Sequence, residues 1–192
     1  MAVKPTFVTD VDGVLFDWNT GFLHWLYDNY NIAPDTVDRT SYNVANWFSA
    51  YSCNDIFRFI ETFNQSNAAH TLSIIDGSQR AIKRLSADFD IVAVTAFAAC
   101  ENGAALRTQT LMREFTGIKE VVVLPMGSTK RDALERLQPA VFIDDYERYL
   151  LESVDLGINT LVMDQPHNRH VNLPRVTHWD NIESVLTSAG VL

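Results

Sequence analysis

Five short runs rich in Val, Ile and Phe recur along the chain, at residues 6–11, 90–95, 120–124, 140–143 and 159–163. Helical patterns lie between most of them, at residues 78–87, 103–115, 129–137 and 146–154. Strands alternating with helices in this way imply βαβ units, and near-continuous apolar strands suit a parallel sheet buried on both faces. The expected fold is therefore α/β, a Rossmann-like parallel sheet with helices on both faces. Right-handed crossovers would bring every strand's C-terminal end to one edge, where open α/β sheets bind their ligands.

The segment from residue 17 to about residue 70 breaks the rhythm, since it holds helical patterns and polar turns but no convincing buried strand. One helix is expected from Trp18 to Tyr30, ending before Pro34. In a second, Ile56, Phe59, Ile60 and Phe63 fall on one face, and Ser52 with Asp55 forms a capping box at its start. These 54 residues carry 12 of the chain's 21 aromatic side chains, where an even spread would give about six. The expected division is a core from residues 1–16 and 71–192, with a small helical cap inserted as residues 17–70.

Acidic residues cluster where the apolar runs stop. The first run ends in Asp10-Val11-Asp12-Gly13-Val14 and another in Phe142-Ile143-Asp144-Asp145. Carboxylates two residues apart on an extended chain point to one side, and such close like charges need a cation or a shared proton. Gly13 permits a sharp turn immediately afterwards. Parallel strands would bring both acidic pairs to one edge, a hard-oxygen cluster suited to Mg²⁺. Thr95 closes its run and offers a hydroxyl, and Lys130 follows Gly127-Ser128-Thr129 near a helix start, where it could hold a phosphate oxygen.

In order and spacing, Asp10-Val-Asp12-Gly13-Val, Thr95, Lys130 and Asp144-Asp145 resemble the four motifs of the haloacid-dehalogenase-like (HAD) phosphatase superfamily. The segment from Asp10 to Phe22, the run Asp164-Gln-Pro-His-Asn168-Arg and the Trp179-Asp180 region resemble the 5′(3′)-deoxyribonucleotidase branch. The resemblance implies an aspartyl-phosphate mechanism, with Asp10 as nucleophile and Asp12 as the acid and base. It implies Mg²⁺ bound by the Asp10 side chain, the Asp12 backbone carbonyl and Asp144. Asp145 would orient a metal-bound water or Lys130. Thr95, the Ala96 backbone N–H and Lys130 would hold the transferring oxygens. The branch usually has a small hydroxylic residue where this chain has Ala96, which removes a possible side-chain donor. The cap would close over the phosphate, with Trp18, Phe22, Trp47 and Phe48 as candidates to stack on a nucleobase.

Taken singly, each motif has a plainer explanation. A D-x-D-G can be a solvated turn, and an Asp-Asp pair can cap the following helix. Thr95 can be an ordinary strand residue and Lys130 an exposed helix lysine. Together, in order and at strand ends, they favour catalysis. Arg107 lies close to where this edge could gain a second cation, but reads first as a surface helix arginine. The cap aromatics compete with packing, which wins for the stripe from Ile56 to Phe63 and is evenly balanced for Trp47 and Phe48. His167 and His170 lack metal-ligand partners, and Gly127-Ser128-Thr129-Lys130 lacks the frame of a P-loop.

The expected substrate is a small phosphorylated molecule, first a (deoxy)ribonucleoside monophosphate and second a sugar phosphate or other metabolite. A catalytically idle ligand-binding domain is the contrasting alternative, and Asp12 argues against it. With 15 Lys and Arg against 24 Asp and Glu, the net charge of −9 disfavours nucleic-acid polymers and anionic membranes. Cys53 and Cys100 are too few for a disulfide framework and suit a reducing compartment. No apolar run approaches ~18 residues, and the first strand leaves no room for a signal peptide, so a cytoplasmic location is expected. Oligomeric state stays open.

Overall fold

A computed structural model describes residues 3–35, 39–98 and 101–192. Cys100 lies outside the described residues, and Cys53 is a free, exposed thiol at the start of a helix. Six parallel strands form one sheet in the order β3-β2-β1-β4-β5-β6. They are β1 (Thr6–Thr9), β2 (Asp90–Ala98), β3 (Ile118–Pro125), β4 (Val141–Asp144), β5 (Asn159–Met163) and β6 (Arg175–Val176). Seven α-helices accompany them: α1 (Trp18–Tyr30), α2 (Cys53–Asn64), α3 (Ser78–Leu85), α4 (Glu101–Glu114), α5 (Arg131–Leu137), α6 (Glu147–Asp155) and α7 (Ile182–Ser188).

The central strands are largely apolar because both faces are covered. On one face Phe7, Ile91, Ala93, Val141, Ile143 and Leu161 pack with Ile82 of α3, Leu111 of α4 and Leu186 of α7. On the other, Val8, Val92, Val94 and Phe142 meet Leu134 of α5 and Tyr149 of α6. Helices thus cover both faces, as the pattern of runs requires.

Two features differ from the sequence expectation. β2 runs three residues past Thr95, staying paired with β3 as far as Pro125 through a register irregularity between Ala96 and Ala98. Its extension carries Phe97 into a separate apolar cluster. The two-residue β6 and helix α7 were not anticipated, the strand being too short to carry a pattern.

Between β1 and α3 lie α1, α2 and two 3₁₀ turns, Val44–Trp47 and Asn67–His70. Asp17 caps α1 by accepting the Thr20 N–H at 3.1 Å, and Ser52 and Asp55 form the expected capping box on α2. Phe22, Leu26, Trp47, Phe48, Ile56 and Phe63 bury one another in that separate cluster. Phe63 sits at its centre, with the rings of Trp18, Phe22 and Trp25 each 5.5 Å away. Phe63→Ala is expected to cost about 3–5 kcal/mol, checked as a lower urea midpoint at unchanged slope.

Candidate active site

Strand register places the acids. Thr9 pairs with Ile143, so the next residue on each strand, Asp10 and Asp144, arrives at the same level. The Asp10 N–H donates to the Ile143 carbonyl at 2.9 Å and fixes this meeting. The chain then turns at Gly13, whose φ of +82° favours glycine. A Cβ there would collide with the Asp145 carboxylate, so the glycine also makes room for the second acidic pair.

Lys130, just before α5, is fully buried among these acids. Its Nζ donates to Asp10 Oδ1 and, at 2.7 Å, to Asp144 Oδ2. The ammonium also lies 4.6 Å from the centre of the Tyr149 ring. Burial opposes its charge, yet Asp10 and Asp144 more than reverse that effect and raise its pKa. Burial raises Asp10 well above the carboxylate range, against the pull of Lys130. Asp144 is pushed by burial up to about 6, again opposed by Lys130. Asp144 additionally accepts the Tyr146 N–H at 2.8 Å, so it does help to start α6 while facing the site.

Asp10, Asp144 and Asp145 each offer an oxygen, and these atoms lie within 4.8 Å of one another. Asp145, expected to orient Lys130 or a bound water, also has an oxygen in this triplet, while Lys130 bonds the other two acids. Asp12 points elsewhere: its Oδ1 accepts from Arg107 Nη2. Burial raises the Asp12 pKa, with Arg107 as the main opposing influence. Four carboxyl groups therefore meet two fully buried cations, Lys130 and Arg107. The unmatched carboxyls, whose charge burial penalises, and the all-oxygen donors fit a hard divalent cation.

Arg107 requires a correction. It is not a surface residue but fully buried, because Gly103, Arg107, Thr110 and Leu111 form the inward face of α4. That periodicity was present in the sequence. The later chain supplies further supports, from the two stretches the resemblance singles out without assigning them a role. Asn168 Nδ2 donates to the carbonyls of Asp145 and Met163, each at 2.8 Å. His167 Nε2 lies 3.1 Å from the same Asp145 carbonyl. Gln165 Nε2 donates to Gly13 O and Trp179 Nε1 to Val14 O, both at 2.8 Å. The family resemblance marks the run holding Gln165, His167 and Asn168, and also Trp179, in the sequence, but only long-range folding shows what they hold.

A cavity of about 400 Å³ opens over the acids and is lined by Asp10, Asp12, Thr95, Ala96 and Asp144 among others. Trp18 and Trp47 reach its wall, whereas Phe22 and Phe48 do not and instead pack in the aromatic cluster. Trp18 is held by its indole N–H, which donates to Asn64 Oδ1 at 2.9 Å. Tyr42, unnoticed in the sequence, lines the cavity and stacks on Tyr146 with centroids 3.6 Å apart. Asn64 and Met126 complete that side.

This sheet, with its acids and buried lysine at one edge, defines an HAD-like phosphatase. The model of the family described as "5′ nucleotidase, deoxy (Pyrimidine), cytosolic type C protein" matches residues 4–192, and the chain belongs to that family. An uncharacterized 32.4 kDa protein from the Gp30-rIII intergenic region of Enterobacteria phage T4 is 25% identical over 199 residues, covering 97% of this chain and 71% of the phage protein. A haloacid-dehalogenase-like hydrolase from Streptococcus pneumoniae shares the fold at a TM-score of 0.67 and 12% identity, over 96% of this chain and 99% of its own. An HAD-superfamily hydrolase from Geobacter sulfurreducens does so at 0.59 and 17%, over 96% of each. Among the described residues, no helix is long and apolar enough to cross a membrane.

The raised Asp144 pKa has a definite consequence for cation binding. Its unfolded value is 3.8 and its folded value about 6, so between these the native state holds the extra proton. The metal-free fold therefore loses this group's stabilisation as pH rises through that window. A cation must displace the proton, so its benefit grows in the same direction. Melting curves with and without MgCl₂ are expected to show a larger gain in Tm at about pH 7.5 than at about pH 5.

Proposed function

We propose that the chain is a Mg²⁺-dependent 5′-nucleotidase, hydrolysing (deoxy)ribonucleoside monophosphates through an aspartyl-phosphate. The observation that carries this reading is the convergence of Asp10, Asp144 and Lys130 under a cavity lined by Asp12, Thr95 and Ala96. The family description supports the nucleotide and, within it, a pyrimidine deoxynucleotide. We read residues 1–16 and 71–192 as the catalytic core and residues 17–70 as its cap. Their separate aromatic cluster and the cavity between Trp18, Trp47 and the acids support that division.

Asp10 supplies the nucleophilic oxygen. It attacks phosphorus in line with the ester oxygen, whose bond to phosphorus breaks as the aspartyl-phosphate forms. Asp12 gives its proton to the departing alkoxide. In the second step Asp12 takes a proton from water, and that water attacks the same phosphorus, returning Asp10 and releasing inorganic phosphate. Thr95 Oγ1, the Ala96 N–H and Lys130 stabilise the charge on the transferring oxygens. Lys130 additionally holds Asp10 in place through its bond to Asp144. Asp10, Asp144 and Asp145, with the Asp12 backbone carbonyl, would hold the Mg²⁺, which when bound neutralises the phosphate and offsets the clustered carboxylates. Trp18 and Trp47 remain the aromatic walls for a base, joined by Tyr42.

Asp10→Asn is expected to abolish phosphate release from thymidine 5′-monophosphate, by at least about 10³-fold, while circular dichroism stays native. Chelation is expected to silence the wild type, with activity restored by MgCl₂. A panel of nucleoside monophosphates and sugar phosphates, ranked by kcat/KM, checks the substrate class. Sugar phosphates leading that panel would refute the nucleotide assignment. Trp47→Ala is expected to weaken nucleotides by about 10-fold or more and to spare phosphomonoesters without a base.

A further inference from the structure

Arg107 lies outside the four motifs, and its surroundings are too specific for a space-filling side chain. It comes from α4, is fully buried, and its guanidinium carbon lies over two aromatic rings, 4.2 Å from the centre of Phe97 and 5.1 Å from that of Phe16. Nη1 donates to the Ala69 carbonyl at 3.4 Å, and Nη2 donates to Asp12 Oδ1. The planar head is thus held by two ring contacts and by an acceptor on each arm. Asp12 itself is only partly covered, with a quarter of its side chain exposed, and it lines the cavity. Among the described residues nothing bonds its second oxygen, Oδ2.

We propose that Arg107 is a positioning residue for leaving-group protonation: by gripping Oδ1 it turns Asp12 so that Oδ2 faces the ester oxygen of the substrate. Ala69 belongs to the 3₁₀ turn at the end of the cap segment, and Phe97 packs in the aromatic cluster. The same guanidinium therefore ties the orientation of Asp12 to the seating of that segment. A lysine in this place keeps the charge but cannot span Ala69 O and Asp12 Oδ1 with one planar head.

This inference rests on the role given to Asp12 above, and leaving-group dependence tests both separately. Alkoxides need a proton as they depart, whereas p-nitrophenolate leaves readily without one. R107K and R107M are compared with the wild type on thymidine 5′-monophosphate, or the best alkyl phosphate of the panel, and on p-nitrophenyl phosphate. For R107K, kcat/KM on the alkyl phosphate, which reports the step in which the leaving group departs, is expected to fall about 10- to 100-fold, with kcat/KM for p-nitrophenyl phosphate within about threefold. The Mg²⁺ concentration giving half-maximal activity is expected to stay unchanged, since Arg107 bonds the Asp12 side chain and neither the Asp12 carbonyl nor Asp10, Asp144 and Asp145. Equal losses of kcat/KM on both substrates would mark Arg107 as merely structural and overturn the proposal. R107K decides the matter if R107M does not fold. Asp12→Asn is run alongside. Should it discriminate between the leaving groups while R107K does not, the positioning role alone fails. Should Asp12→Asn show no such discrimination, the acid assignment fails and the proposal with it.

Discussion

A buried ammonium between two buried carboxylates is the interaction around which the catalytic edge is built. Lys130 has no access to water, and a lone charge in that position would be prohibitively desolvated. Its bonds to Asp10 and Asp144 resolve this, and they also link β1, β4 and the entrance to α5 at one point. The acids gain in turn, since each would otherwise be pushed further toward its neutral form by burial and by its neighbours. The compensation is incomplete: with Arg107 engaged by Asp12, the carboxyls outnumber the two buried cations, and burial penalises the charge of the acids around Lys130.

The aromatic surplus of the chain serves packing first and the cavity second. Phe22, Phe48 and Phe63 are spent on a cluster of their own, because a short pair of helices without a sheet needs large side chains to bury enough apolar area. Trp18 and Trp47 lie at the boundary between that cluster and the cavity. Tyr42 crosses to the other side, where its stack on Tyr146 and edge contact with His167 join the two walls. Phe97 performs the reverse crossing from the sheet, which explains why β2 is extended beyond its β-branched run.

The parts of the molecule that were legible in sequence are those governed by local periodicity or by rigid spacing. Five of the six strands, α1 with both its ends, and the Ser52–Asp55 box all follow from side-chain pattern. The meeting of Asp10 with Asp144 follows from parallel strands of matched length. Arg107 was legible in principle, since α4 repeats Gly103, Arg107 and Leu111 on one face, but a charged residue on such a face is rare enough to be read as solvent-facing. Phe22 and Phe48 could not be separated from Trp18 and Trp47 without knowing which side of the cluster faced the acids. Asn168 and Gln165 stood in a recognisable run, but their tasks were beyond reach, because the Asp145 and Gly13 carbonyls they hold lie 23 and 152 residues away.

The indole hydrogen bond from Trp179 to the carbonyl of Val14 spans 165 positions of the chain. The turn that carries the first acidic pair is thus braced by a residue translated long after it. Until Trp179 has been translated, the loop around Gly13 lacks this brace and, for most of that time, the one from Gln165. Full bracing of the phosphatase edge accordingly waits for Trp179, and a nascent chain halted short of it would carry its acids without the brace that sets the loop beside them.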